Sequence, residues 1–249
     1  MYRENIEVKR DADFGVIIEK SSWFSVIEKM FSDCERIYYP NDQDEVLYVK
    51  QGGVDIAFIA GQGSSMAACM TERLRVYGAK GVIRIGTCGS LSKSNKLWCP
   101  MITTACYSDE GTSGHYLPTA FPLITDFKLN NSLVDNFKKS KMDYQLGITV
   151  TTDGRWRENP ELLKSLNRVG VATIEMETAA VVAVCLFRKL PVAAINIPAD
   201  LPADEDEVHD FKGVPDRSKY KDNLDNMLGL VVPVVVKTAM DFFAKNNSL

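Results

Sequence analysis

Short β-rich runs alternating with helical patterns predict an α/β fold, a three-layer α/β/α sandwich around a central mixed β-sheet. Three observations carry that expectation. Apolar runs rich in Val, Ile and Ala recur along the chain, separated by segments whose apolar residues repeat at helical spacing. Glycine-containing turns close several of those runs, as at Gly61-Gln62-Gly63 and Gly86-Thr87-Cys88-Gly89. A chain of 249 residues, 45% apolar and 25% charged, is long enough for one substantial core, and nothing in it suggests a second domain. Residues 1–249 therefore read as a single domain.

Residues 15–18 read as the first strand and 22–31 as the helix after it, with Trp23, Val26, Ile27 and Met30 at helical spacing. Strands at 46–49 and 54–60 flank the turn signal Gln51-Gly52-Gly53. A helix over 64–77 leads to a strand at 81–85. Further strands are predicted at 101–106, 146–151, 171–174 and 192–197, with helices near 131–139 and 161–167 and an apolar helical pattern ending near Leu190. The segment 221–245 is helical in pattern, and Pro233 inside it predicts a bend or a split. Between Pro198 and Asp222 lies a polar stretch with the acidic core Ala203-Asp204-Glu205-Asp206-Glu207, whose length suits a lid or a disordered segment.

Composition limits the partners. The net charge is −4, with Lys and Arg scattered among Asp and Glu, so there is no basic stripe for a nucleic-acid backbone or an anionic membrane. A small-molecule substrate is expected. The first residues are polar and no apolar run approaches the roughly 18 residues of a membrane span, which predicts a cytoplasmic protein. The six cysteines have no paired spacing and most lie in apolar segments, so they read as buried thiols. His115 and His209 show no local pairing with them, and no metal-ligand spacing is present.

The most informative stretch is Ile174-Glu175-Met176-Glu177-Thr178, where a strand hands over to a helix. Carboxylates at i and i+2 share a face of an extended backbone but diverge once a helix begins, so one of them can enter a cavity at the junction. An ionised Glu there suits a vicinal diol, each oxygen accepting from one hydroxyl. The alternative is a pair of solvated or salt-bridging glutamates at a helix start. Gly61-Gln62-Gly63-Ser64 and Arg84-Ile85-Gly86-Thr87-Cys88-Gly89 each follow an apolar strand, where glycine admits a ligand to the backbone and free N–H groups attract anions. Arg84, inside the run Val82-Ile83-Arg84-Ile85, needs a partner if buried: an anion beside the Thr87 hydroxyl, or a structural carboxylate. Asp200 follows the strand 192–197, at the edge where open α/β sheets collect ligands, and is either an acid facing a heterocycle or an ordinary loop residue.

Together, Gly61-Gln62-Gly63, Arg84 to Gly89, Glu175-Met176-Glu177 and Asp200 resemble the ordered motif set of the nucleoside phosphorylase-I family, over roughly residues 13–245. That resemblance implies reversible attack of phosphate on the anomeric carbon of a nucleoside, with no cofactor and inorganic phosphate as co-substrate. It implies that Arg84 and Thr87, with Gly63, hold the phosphate, and that Glu177 accepts the ribose hydroxyls with Met176 beneath the sugar. Glu175 and Ser64 join the substrate site, Cys88 and Gly89 line the base through their backbones, and Trp156 is a candidate to stack on it, core or surface packing being its other reading. Asp200 matches the acid that purine-specific members present to the leaving base, so Asp200 and Arg84 are the catalytic candidates. The lack of the Gln-x-Arg pair of uridine phosphorylases in 153–157 also favours a purine. A homodimer or a homohexamer built as a trimer of dimers is expected.

Three positions depart from the family pattern. Ile18-Glu19-Lys20-Ser21-Ser22-Trp23 stands where the family keeps a glycine-aspartate phosphate loop with a following arginine. Residues 39–43 offer no clear second arginine, and Arg3 falls near the place of an N-terminal histidine. Lys20, Arg155 and Arg157 are candidates to replace the lost charge. These departures leave other readings open: a uridine phosphorylase, a nucleosidase using water with Glu19 as a conceivable base, a nucleoside binder without turnover, and, on the glycine turns alone, a dinucleotide binder.

Overall fold

The computed structural model describes residues 6–40, 44–156, 158–201 and 217–246. In chain order its elements are β1 (Phe14–Ile18), α1 (Phe24–Ile27), β2 (Cys34–Tyr39), β3 (Asp44–Gln51), β4 (Val54–Ala60), α2 (Ser64–Val76), β5 (Val82–Ser90) and β6 (Met101–Asp109). They continue with β7 (Leu123–Ile124), α3 (Phe127–Lys139), β8 (Gln145–Thr152), α4 (Pro160–Arg168), β9 (Val171–Glu175), α5 (Thr178–Arg188), β10 (Val192–Asp200) and α6 (Tyr220–Asn246).

The strands form one mixed sheet that branches at β5. On one side it runs β5-β1-β4-β3-β2; on the other, β5 pairs with both β10 and β9, and the path β10-β6-β8-β9 closes a small ring. β1 lies parallel between β4 and β5 and all five of its residues are buried, which is why it reads as a continuous apolar run. Its alternate side chains serve two cores. Val16 and Ile18 pack with Phe24 and Ile27 of α1, Leu133 and Phe137 of α3 and Leu228 to Ala239 of α6. Ile17 packs on the opposite face with Ala67, Met70 and Leu74 of α2 and Val181, Val182 and Cys185 of α5. These are the two helical layers of the expected sandwich. α4 covers a smaller cluster through Leu163 and Leu166, which meet Val150, Val171 and Ile174.

Several boundaries differ from the sequence expectation for definable reasons. The predicted helix 22–31 is broken into Ser21–Trp23, Phe24–Ile27 and Glu28–Met30, of which only the middle is α-helical. β2 carries Glu35 and Arg36 exposed at the sheet edge, so its polarity hid it. Pro233 does not split α6, which is one continuous helix from Tyr220 to Asn246. That helix is apolar and long, but half of its apolar window is buried against the rest of the fold, as expected of a core helix. The six cysteines are free, and Cys69 is exposed rather than buried. The acidic stretch 203–210 and the candidates His209, Arg3 and Arg157 lie outside the described residues.

The most consequential difference concerns Gly86 to Ser90. This segment is not a turn after a short strand: β5 continues to Ser90, flanked by β10 up to Gly89. β10 likewise extends to Asp200, pairing Asp200 with Gly89. The two long central strands thus carry Arg84, Thr87 and Asp200 to one edge, where β9 and α5 deliver Glu175 and Glu177.

Candidate active site

The chain leaves β9 at Glu175 and enters α5 at Thr178, with Met176 and Glu177 in the corner between. Both glutamates are buried, at 6% and 4% exposure. Glu175 Oε2 accepts the N–H groups of Glu177 (2.8 Å) and Thr178 (2.7 Å), and its other oxygen accepts from the Thr151 hydroxyl. Ala179 N–H donates to Thr151 Oγ1 (2.8 Å). Glu175 and Thr151 therefore satisfy the donors left open at the start of α5. Glu177 instead reaches across to the glycine turn: its Oε1 accepts the Gly63 N–H (2.7 Å), while Ser64 Oγ donates to the Met176 carbonyl (2.8 Å). Gly63 opens α2 with φ at 83°, a conformation that favours glycine. Two motifs more than 100 residues apart are joined here by two hydrogen bonds.

Arg84 is buried at 1% exposure and lies over Gly86, where a Cβ would collide with the guanidinium. It donates to Glu177 and to Asn196 Oδ1, and its Nη2 also lies 3.1 Å from Glu175 Oε2. Asn196 is held in turn by donating to Thr103 Oγ1 (3.0 Å). Burial works against the guanidinium charge, but Glu175, Glu177 and Glu19 outweigh it and hold the Arg84 pKa above its ordinary value. Burial, with Glu175 close by, also raises the Glu177 carboxyl, against the opposing charge of Arg84 and the Gly63 N–H.

Across β5, Glu19 at the end of β1 points at Thr87. One oxygen of Glu19 accepts both the Thr87 N–H (3.0 Å) and its hydroxyl (2.7 Å), and Lys20 Nζ lies 3.3 Å from the other. Burial pushes the Glu19 carboxyl up, but the Thr87 hydrogen bonds and the charges of Lys20 and Arg84 win and leave its pKa lowered. The Tyr220 hydroxyl at the start of α6 hydrogen-bonds with Thr87, near Glu19 and Asp200. Trp23 is buried in the core, so it adds nothing to an anion site.

Asp200, the last residue of β10, lies against Gly89 of β5. Burial pushes its carboxyl up to about 6, against the charge of Arg155 and the Ser90 N–H. Glu158, half-buried, is raised to about 7 by burial and by the charge of Asp200. Gly89 is bare because a Cβ there would stand 2.9 Å from Asp200 Oδ1. Cys88 is buried between these groups, its thiol pushed well up by burial and by Asp200 and Glu175, so a thiolate is disfavoured. Trp156 does not close the pocket: it is 91% exposed, with the Arg155 guanidinium 5.8 Å from its ring centre. Among the described residues no group of three or more His, Cys, Asp or Glu side chains is disposed to hold a metal ion.

The structure thus brings Gly63, Ser64, Arg84, Thr87, Cys88, Gly89, Glu175, Met176, Glu177 and Asp200 around one edge of the sheet. It adds Asn196, Thr151, Glu158 and Tyr220, which sequence reasoning did not single out. Asn196 carried a readable signal, an amide in the apolar run 192–198 that a buried strand leaves without water. At this edge a buried arginine, three buried or partly buried carboxylates and two glycine-bearing segments converge.

The chain belongs to the phosphorylase superfamily, whose sequence profile matches residues 28–231. The Glu19 loop lies before that match. The chain is similar to guanosine phosphorylase of Halorubrum lacusprofundi, 25% identical over 206 residues that cover 82% of this chain and 85% of the relative. It is also similar to purine nucleoside phosphorylase of Plasmodium vivax, 27% identical over 73% of this chain and 74% of the relative. Among solved structures, purine nucleoside phosphorylase from Toxoplasma gondii in complex with immucillin-H superposes with a TM-score of 0.78 at 23% identity, over 98% of this chain and 95% of that one. Uridine phosphorylase from Vibrio fischeri superposes with a TM-score of 0.77 at 19% identity, over 95% and 92%. The fold is the one these structures share, the mixed sheet between helical layers expected from the sequence.

Proposed function

We propose that this member of the family is a purine nucleoside phosphorylase, which cleaves the N-glycosidic bond of a purine nucleoside with phosphate to give free base and ribose 1-phosphate. The observation that carries this reading is the placement of Glu177. Its carboxylate is fixed by the Gly63 N–H and Arg84 at the corner between β9 and α5, beside the strand β5 that carries Thr87 and pairs with Asp200. A ribose bound through its 2′ and 3′ hydroxyls to Glu177, above Met176, has its anomeric carbon between an anion subsite and an acid.

Each side chain then has a chemical task. As the glycosidic bond stretches, the sugar gains oxocarbenium character and the base gains negative charge. Asp200, with its pKa near 6, holds a proton for the departing purine, and Glu158 nearby is itself raised to about 7 by burial and by Asp200. Arg84, Thr87 and Gly63 form the phosphate side, Arg84 also holding Glu177 in register. Cys88 and Gly89 offer backbone to the base, and Ser64 fixes the Met176 carbonyl. No cofactor takes part; inorganic phosphate is the co-substrate. The whole chain, 1–249, acts as one such domain, in the cytoplasm, as a homodimer or a homohexamer.

The test is turnover of inosine, guanosine, adenosine and uridine with excess phosphate, followed by chromatography of the released base. Purine release with little from uridine is expected, and Asp200→Asn should reduce it most for purines. Preferential release of uracil would make the chain a uridine phosphorylase instead.

A further inference from the structure

In the pocket described above, the donors of Thr87 already have an anion on them, and it belongs to the chain itself. The Thr87 N–H and hydroxyl converge on one oxygen of Glu19, at 3.0 Å and 2.7 Å. Glu19 directly follows a fully buried strand whose last residue, Ile18, is paired with both β4 and β5, so the chain enters Glu19 from a fixed position. Its other oxygen is paired with Lys20 at 3.3 Å. We propose that Glu19 is an internal competitor for phosphate, seated on the Thr87 donors, and that it sets how much phosphate this enzyme requires.

The charge around the site points the same way. Arg84 and Lys20 face three carboxylates, Glu19, Glu175 and Glu177, and the guanidinium is already engaged by Glu175, Glu177 and Asn196. A phosphate anion entering that set meets a surplus of negative charge in a buried pocket, where repulsion is poorly screened. Once Glu19 turns away, the Thr87 N–H and the Thr87 hydroxyl, which also meets the Tyr220 hydroxyl, can turn to another acceptor, and the surplus falls by one charge. The Thr87 donors and the charges of Lys20 and Arg84 outweigh burial and hold the Glu19 pKa below its ordinary value, so acid does not relieve the competition within the physiological range. The Glu19 loop lies before residues 28–231, so the family profile does not account for this feature.

This inference rests on the phosphorylase reading, and calorimetry separates the two. Titration of inorganic phosphate into wild type, Glu19→Gln and Glu19→Ala, each with its melting temperature recorded, reads binding without turnover. The expected result is phosphate affinity about tenfold or more tighter in Glu19→Ala, where a charged competitor for two donors is gone. Glu19→Gln, which keeps the shape but not the charge, should fall between. In turnover assays the KM for phosphate should fall in both variants with the KM for nucleoside unchanged. Equal or weaker phosphate binding in two folded variants would overturn the proposal. If Glu19→Ala does not fold, the isosteric Glu19→Gln decides alone. Absence of base release in every protein, with phosphate binding still tightened, would refute the phosphorylase reading and leave the competition standing.

Discussion

Replacing Asp200 by Asn tests the electrostatics of the pocket without requiring any substrate. The Asp200 carboxyl is raised from the ordinary 3.8 to about 6, because burial penalises its charge more than Arg155 and the Ser90 N–H favour it. The folded state therefore binds a proton that the unfolded state has already lost over that interval, so stability falls as pH rises from about 4 to about 6 and the penalty then persists. A shift of that size corresponds to about 3 kcal/mol in full, of which about 1.4 kcal/mol accrues between pH 5 and pH 8. Asn carries no such penalty. Urea denaturation of wild type and variant at pH 5 and pH 8 should show the variant gaining about 1.4 kcal/mol relative to wild type across that span. Glu158, raised to about 7 partly by the charge of Asp200, relaxes downward in the variant and adds to the same trend. A stability difference that is flat with pH, or that moves the other way, would refute the claim that Asp200 is held protonated by its surroundings. In turnover, wild-type base release should decline above about pH 6, and the residual activity of the variant should lose that dependence.

Other substitutions separate framework from chemistry. Arg84→Met strands Glu175 and Glu177 without their cation and should cost about 3–5 kcal/mol by denaturant melt, because one partner of a buried ionic cluster is gone. Gly86→Ala puts a methyl group into the Arg84 guanidinium and should destabilise by about 1–3 kcal/mol while weakening turnover, whereas the same change at Gly53, which meets nothing within 4 Å, is opposed only by its φ of 80°. Glu177→Gln removes a charged acceptor for the ribose hydroxyls and should lower kcat/KM by about tenfold to a hundredfold, chiefly through the KM for nucleoside. Asn159→Ala removes the cap that accepts the Glu161 and Leu162 N–H groups and should cost about 1 kcal/mol without changing activity.

The sequence made the layered α/β fold legible because buried parallel strands such as β1 leave apolar runs that no loop would carry. The Glu175-Met176-Glu177 corner stood out because two carboxylates at a strand-to-helix junction must be accounted for, and the structure pairs both with Arg84, which is the salt-bridging alternative. What sequence spacing could not supply was the partner of each group. Arg84 had two readings, an anion or a structural carboxylate, and the fold pairs it with the carboxylates of Glu175 and Glu177. Glu19 was visible as a departure in the first loop, but its meeting with Thr87 depends on β1 lying beside β5, a contact between residues 68 apart. Tyr220 reaches the site only because α6 folds back over the sheet, and β2 was hidden by the mixed polarity of an edge strand. The Gly86 to Ser90 run misled because glycine in a central strand and glycine in a turn look alike in sequence; here the two glycines give space to Arg84 and Asp200.

The central claim is phosphorolysis of a purine nucleoside at the Glu177 corner, and the most direct measurement is a mass balance on a single reaction. Guanosine or inosine with saturating phosphate should yield free base and ribose 1-phosphate in equal amounts, with no base released when phosphate is left out. Free ribose equal to the base, formed with or without phosphate, would contradict the account and identify water as the nucleophile.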